Sequence, residues 1–424
     1  MSNMDDKYGV MKFAVVGGGI AGLTTAYLLS KRFDVTLYEA GAKVGGHTHT
    51  VEVDTDEGMV PVDMGFIVFN EENYPNFVRL LDQLGVASKP GDMSFGVSSE
   101  RSGTEYKASS LGTLFAQRRN AFSPSFHRML VDVARFRKRA RGLLSNGNGY
   151  DPSLGDYLRD GGYSRRFIDE FIVPMGAAIW SASPGRMDEF PARTLLRFFE
   201  NHRFLEAREQ PVWRTVDGGS RTYVDRIVKH LGERVRMRSA VRHVRRSADY
   251  VEIATHEDTA RFDHVVIGAH SNQALGMLDK PTRSEEEILG AIPYQPNDTV
   301  LHTDTAVMPR TKRAWASWNV RVPKDPASAV NVTYHSNRLQ AFEHSDEFLV
   351  TLNRTGEIRP ERVVERQNFD HPIFNFDGLR AQSRREEISG RNRTSYCGAY
   401  WGYGFHEDGV KSAIDATGPF GVTL

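Results

Sequence analysis

The chain has 424 residues, with 54 Lys plus Arg against 54 Asp plus Glu. It is longer than one hydrophobic core usually serves and has no net field to attract nucleic acid or another polyanion. Its one cysteine, Cys397, excludes an intramolecular disulfide and a cysteine-based zinc site and fits a reducing compartment.

The opening stretch MSNMDDKYGV lacks the basic start and apolar run of a signal peptide. No apolar run reaches the roughly 20 residues that span a bilayer. The expected location is the cytoplasm, with peripheral contact at the inner membrane face left open.

Residues Lys12 to Glu39 read as strand, glycine turn, helix and strand: Phe13 to Val16, the turn, Leu23 to Lys31, then Val35 to Tyr38. The turn, Gly17-Gly18-Gly19-Ile20-Ala21-Gly22, satisfies G-x-G-x-x-G. Gly17 permits the tight turn, Gly19 lets backbone approach a diphosphate, and Gly22 lets helix and strand pack closely. Free N–H groups and the positive end of the helix dipole favour anionic oxygen there. Glu39 ends the second strand 22 positions after Gly17, where an acid can accept a hydrogen bond from a ribose hydroxyl. A dinucleotide is therefore expected.

From about Pro75 to Gln210 the pattern is mostly helical, broken at Ser123-Pro124, Ser145 to Gly149 and Ser183 to Gly185. The helix Ser125 to Leu144 carries Phe126, Leu130, Val133 and Phe136 at helical spacing. Arg128, Arg135, Arg137, Lys138, Arg139 and Arg141 lie elsewhere on it. That pattern suits a covered core face, or a basic helix resting on an anionic membrane.

An α/β stretch from Thr215 to His270 follows, with a helix at Tyr223 to His230. Its strands fall at Val235 to Met237, Val241 to Arg245, Val251 to Ala254 and Val265 to Ile267. Residues 276–384 hold short strands, such as Thr299 to His302, Val330 to Tyr334 and Phe348 to Leu352, that predict an antiparallel sheet. The tail, Tyr396 to Ala416, reads as strand, glycine-rich turn and short helix.

No HExxH, CxxC or GxSxG occurs, so neither a metal nor an activated nucleophile is expected. A second glycine fingerprint is also absent, and no separate NAD(P)H site is expected. His302 and Asp304, on one face of a strand, are the nearest approach to an acid/base pair. Trp315 and Trp318 suit either a cavity wall or the core.

Glu39 with Gly45-Gly46-His47, Val62-Asp63-Met64-Gly65-Phe66, Tyr74-Pro75, Leu84-Gly85 and Asp217-Gly218-Gly219 resemble the flavin-containing amine oxidase superfamily, which includes carotenoid-type desaturases and protoporphyrinogen oxidase. The resemblance continues at Val241, at Val265 to Ala269, and through Gly398-Ala399-Tyr400 and Gly404 to Val410. Taken whole, with Phe66 to Asn70, Trp315 to Asn319 and Val350 to Asn353, the chain is similar to a bacterial group described as predicted NAD/FAD-binding oxidoreductases.

The resemblance implies FAD, and not NAD, as the cofactor. The implied fold is α/β, a Rossmann-like FAD-binding domain of the amine oxidase/glutathione-reductase type interleaved with an α+β substrate domain. The cofactor domain would comprise residues 1–75, 212–275 and 385–424, and the substrate domain residues 76–211 and 276–384. Implied cofactor contacts are Gly17, Gly19, Ile20, Ala21, Gly22, Glu39, Ala40, Gly45, Gly46, His47, Gly65, Phe66, Val241, Ala269, Gly398, Glu407, Asp408, Gly409 and Val410.

In the family the counterpart of Val241 holds adenine through backbone atoms. The helix after Gly404 would face the pyrimidine edge of the flavin, where reduction gathers negative charge. Two positions depart from the pattern: His47 replaces the usual arginine, and Ala399 stands where an acid commonly follows the glycine.

For the substrate pocket the candidates are Phe405, at an aromatic-cage position, and Ile67, Trp315, Trp318 and His302. No lysine near Tyr294 to Leu301 is available to hold a water at flavin N5, and Phe66 to Phe69 suits either hydrocarbon or a buried strand. The group's association with cyclopropane-fatty-acid synthase-like enzymes implies hydride removal from a lipid acyl chain, as in a desaturase. An amine oxidase, and a non-catalytic flavin-bound partner of a lipid methyltransferase, are the alternatives.

Overall fold

The computed structural model describes residues 10–145, 151–182, 184–206, 210–325 and 331–424. The first nine residues, most of the break after Ser145, and Ser183 of the next break lie outside them.

The strand Lys12–Val16 is central to a five-stranded parallel sheet. Asp34–Tyr38 and then Val235–Arg236 lie on one side, and His264–Ile267 and Thr394–Tyr396 on the other. Such strands are covered on both faces and so read as unbroken apolar runs; Phe13, Ala14, Val15, Val265, Val266 and Ile267 are fully buried. The helix Ile20–Leu29 covers one face and is buried on all ten residues, which is why it shows no amphipathic pattern. Its neighbours there are Tyr223 and Ile227 of Arg221–Leu231 and Val410 of His406–Thr417. The opposite face is covered by the antiparallel meander His243–Arg246, Val251–Ala254 and Thr259–Phe262, with Ile288 and Leu289.

A seven-stranded sheet runs in the order Val363–Pro372, Tyr294–His302, Leu349–Leu352, Asn331–His335, Trp318–Val322, Phe95–Ser99, Glu105–Lys107. Its pairs are antiparallel except Trp318–Val322 with Phe95–Ser99, which is parallel. The strands expected within 276–384 do pair antiparallel with one another, and the stretch after Pro75 is mostly helical as expected; the difference is that this stretch also lends the sheet two short strands, the first of them joining in parallel. Phe95–Ser99 and Glu105–Lys107 each carry one fully buried anchor, Val97 and Tyr106, too little apolar pattern to stand out against flanking helices.

Beside this sheet the helices Pro124–Ser145, Val173–Trp180 and Ala192–Asn201 enclose Phe126, Met129, Phe136, Phe167, Leu195 and Phe199. The stripe of Pro124–Ser145 thus faces the core, so it is not free to enter a membrane. No helix among the described residues is long and apolar enough to cross one.

Candidate functional site

A cavity of about 1050 Å³ is lined both by the glycine turn after Lys12–Val16 and by the helical layer. Ile20–Leu29 begins at Gly19 with no side-chain cap. Its first internal backbone bond is Leu23 N–H to Gly19 O at 2.8 Å, which leaves the N–H groups of Ile20, Ala21 and Gly22 outside the helical ladder. A Cβ on Gly19 would meet open space, whereas one on Gly22 would lie 1.9 Å from the Gly17 carbonyl oxygen. Gly45 donates to Gly18 O at 2.8 Å, and a Cβ on Gly46 would lie 3.1 Å from Gly19 Cα. The second glycine turn is therefore laid against the first.

Glu39 accepts from Gly18 N–H at 2.7 Å and Gly41 N–H at 2.6 Å, and a carboxylate bonded twice can still accept from a hydroxyl. Bare N–H groups, an open glycine face and this acid fit the diphosphate and ribose of a dinucleotide such as FAD.

Next along the wall, the half-buried His47 holds its Nε2 out of solvent and without a partner among the described residues. Its ring lies 5.3 Å from His371, 5.1 Å from Phe369 and 6.0 Å from His270. Burial, and then the neighbouring His371 and His270, hold its pKa well below the ordinary histidine value. The ring is neutral and supplies no cation where arginine is usual. A buried nitrogen without a partner is a group that a ligand satisfies. His270 stacks on Tyr294 at 4.5 Å, and the Tyr294 hydroxyl accepts from Ser271 N–H at 3.0 Å.

Gly398, Ala399, Tyr400, Gly404, Phe405 and His406 form the wall from the C-terminal segment. The His406 ring stacks on Phe66 at 3.5 Å, and its Nε2 lies 3.0 Å from both Thr48 Oγ1 and the Tyr223 hydroxyl. Burial pushes its pKa down to about 3, so it is a fixed, neutral part of the wall.

Four expected contacts of this segment do not line the cavity. Glu407 accepts from Phe77 N–H at 2.9 Å, Asn76 N–H at 3.1 Å and Asn76 Nδ2 at 2.6 Å, capping a helix that lacks a cap of its own. Asp408 accepts from Tyr403 N–H at 3.0 Å and Phe405 N–H at 2.9 Å, which folds the turn. The Gly409 N–H is bonded to Phe405 O at 3.1 Å, and Val410 is core. These residues build the wall from behind, because their donors and acceptors are already matched within the protein. Gly22, also expected at the cofactor, is a packing glycine.

The remaining expected cofactor residues line the cavity, as do Ile67, Phe405 and Trp318. Trp315 and His302 do not. Trp315 donates from Nε1 to Pro309 O at 2.7 Å and packs beside Val307 and Met308. His302 is buried with Nε2 2.7 Å from Thr351 Oγ1, while its Nδ1 accepts from Asp304 N–H at 3.1 Å. Asp304 is held by Arg359 at 2.8 Å, which keeps its pKa well below the usual carboxylate range. The strand face that aligned this pair is covered, so neither group reaches the cavity.

The far wall is apolar. A π-helical turn, Ile168–Ile172, precedes Val173–Trp180, and Phe171, Met175 and Ile179 line the cavity at intervals of four residues. Trp180 donates from Nε1 to Tyr403 O at 3.2 Å, and Phe198 lies 4.9 Å from Trp180 and 5.2 Å from Phe405. Sequence reading missed His270, His371, Trp180, Phe198 and Arg137. Only Arg137 left a signal, since it follows Leu130 and Val133 at helical spacing and shares their face.

A phosphate cradle opening into an apolar chamber defines an oxidoreductase that holds a dinucleotide cofactor against its substrate. The chain belongs to the flavin containing amine oxidoreductase family, whose model matches residues 20–321. It is an FAD-dependent oxidoreductase. Cyclohexylamine oxidase from Brevibacterium oxydans has the same fold, with a TM-score of 0.72 at 13% identity over 97% of this chain and 98% of that one. A CLA-producing fatty acid isomerase from P. acnes matches with a TM-score of 0.67 at 16% identity, covering 97% and 99%. The carotenoid phi-ring synthase of Chlorobaculum tepidum is 35% identical over 78 residues, which are 18% of this chain and 12% of that protein's length.

Proposed function

We propose that the protein removes two hydrogens from the hydrocarbon portion of an acyl lipid, the reaction class of a desaturase. The observation that carries this reading is the wall of Met129, Phe171, Met175, Ile179, Phe198 and Phe405. Among the described lining residues there is no lysine, and the carboxylates are Glu39 in the cradle, Asp370 near His47, and Glu206. Glu206 is paired with Arg141 at 2.7 Å. An ammonium substrate inside the chamber would lack a counter-charge, whereas a methylene chain desolvates there favourably, at about 0.8 kcal/mol per CH₂.

Bound FAD supplies the hydride acceptor. Around it, the bare amides of Ile20 and Ala21 hold the diphosphate and Glu39 the ribose. Gly46, His47, Gly65, Phe66 and Gly398 border the rest of the cofactor, with Val241 and Ala269 at its adenosine side. Phe405 and Phe198 exclude water and press the chain into place.

Anaerobic mixing with an unsaturated acyl lipid is expected to bleach the oxidised-flavin band and to yield a lipid two hydrogens lighter by mass spectrometry. Bleaching by cyclohexylamine or putrescine, with peroxide release and no response to any acyl lipid, would replace this reading with an amine oxidase.

We infer that the lipid enters from a membrane surface. Leu111 lines the cavity yet is 76% exposed, and Phe122 is 86% exposed, in a stretch that also exposes Arg118, Arg119 and Arg128. Exposed apolar tips among cations suit an anionic bilayer, each cation adding about 1 kcal/mol. Co-flotation with phosphatidylglycerol vesicles is expected to fall about tenfold in a Leu111→Asp/Phe122→Asp variant. Equal flotation of both proteins would remove this route.

A further inference from the structure

Arg137 is the one lysine or arginine among the described residues that line the cavity. Its neighbours on the same helix are engaged: Arg135 with Asp132 at 2.6 Å, Arg139 with Asp160 O at 2.9 Å, Arg141 with Leu205 O at 3.0 Å and Glu206 at 2.7 Å. Arg137 makes no hydrogen bond or ion pair with any described residue. Burial, and then repulsion from Arg141, lower its pKa from the ordinary arginine value, with Glu206 opposing. The guanidinium nevertheless stays charged. Half-buried and without a direct partner, the guanidinium has lost part of its hydration, and an anion of matching geometry offsets that loss.

Its position is at the mouth. Leu111, Glu206 and Gln210 are exposed and line the same cavity. From Phe136, beside Arg137, aromatic rings lead inward: Phe136 to Phe199 at 6.5 Å, Phe199 to Phe204 at 5.5 Å, Phe204 to Phe198 at 6.4 Å, and Phe198 to Phe405 at 5.2 Å.

We propose that Arg137 binds the anionic head, a carboxylate or a phosphate, of an amphiphile whose chain runs along these rings toward Phe405. This rests on the acyl-chain reading above. Arginine pairs with either anion through two parallel hydrogen bonds, and fixing the head sets which carbon reaches the reacting centre.

The test is displacement of bound Nile red, a neutral apolar probe, from the FAD-loaded protein. The competitors are oleate, oleyl alcohol and 1-oleoyl lysophosphatidate, each below its micelle concentration. Oleate is expected to displace the probe at about tenfold lower concentration than the alcohol in wild type. Arg137→Leu is expected to abolish that preference and leave the alcohol unchanged, while Arg137→Lys retains part of it. Preference for lysophosphatidate over oleate assigns the head to a phospholipid, and the reverse to a free acid.

An oleate-to-alcohol ratio that is the same in wild type and Arg137→Leu overturns the proposal, as does equal binding of the two in wild type; the acyl-chain reading then stands. Failure of every competitor to displace the probe overturns both. An unchanged flavin spectrum and melting temperature in each variant shows that the fold is retained.

Discussion

A Gly19→Asp variant is expected to fold and to emerge from purification colourless. Gly19 has φ −75° and ψ 179°, which any residue adopts, and its Cβ direction is open, so the substitution introduces no backbone strain. An aspartate here is a favourable helix cap and adds roughly a few tenths of a kcal/mol of stability over glycine. The same carboxylate occupies the place of the diphosphate and answers the amides that would hold it. At about 4 Å, two like charges repel by about 4 kcal/mol at the effective dielectric of a partly buried site, which corresponds to about a thousandfold loss of FAD affinity. Gly19→Asn places a similar shape without the charge and is expected to lose less. The ratio of flavin to protein absorbance, with an FAD titration of the stripped protein, measures this. Wild-type flavin content in Gly19→Asp would disprove that the Gly17 to Gly22 turn carries the cofactor.

The cradle was readable because all its parts lie within one stretch. Turn, helix start and acid follow from the order of Gly17, Gly19, Gly22 and Glu39, and their chemistry is that of the backbone. The C-terminal segment was readable as a unit but not residue by residue. Glu407 and Asp408 stand at a helix start, where an acid can face either a ligand or another N–H group. Only the placement of Asn76 and Phe77 beside Glu407 decides between them. His302 was misplaced for a related reason. Period-two alternation puts it on one face of a strand with Asp304, yet does not tell which face looks into the cavity. The substrate wall was least legible, since Phe171, Met175, Trp180 and Phe198 carry the same signal as any helical core. His371 lies in an exposed edge strand with no pattern around it.

Acidification from pH 7 to pH 5.5 is expected to remove about 5 kcal/mol of folding stability. Burial lowers the pKa of His202, His264, His302, His335 and His371 to about 4 and of His406 to about 3. The unfolded chain takes up protons near pH 6.5, where the folded chain does not. The stability from these neutral rings is therefore present above pH 6.5 and is lost as the pH falls toward the folded values. Over this interval each ring forfeits about 1.2 kcal/mol, so the six together remove about 7 kcal/mol.

Two carboxyls act in the opposite sense. Burial raises Asp63 and Asp408 to about 6, so the folded state binds their protons before the unfolded state does and gains stability as the pH falls through 6. They return about 2 kcal/mol. The remaining loss is a large fraction of the 5 to 15 kcal/mol of stability typical of a folded protein. Urea unfolding at both pH values, with FAD held saturating, measures it. In a His202→Phe variant the ring still stacks between Phe198 and Trp213, and the difference between the two pH values is expected to shrink by about 1 kcal/mol. Equal or greater stability at pH 5.5 would show that these rings are hydrated or charged in the folded protein. The neutral wall formed by His406 against Phe66 would then have to be abandoned with them.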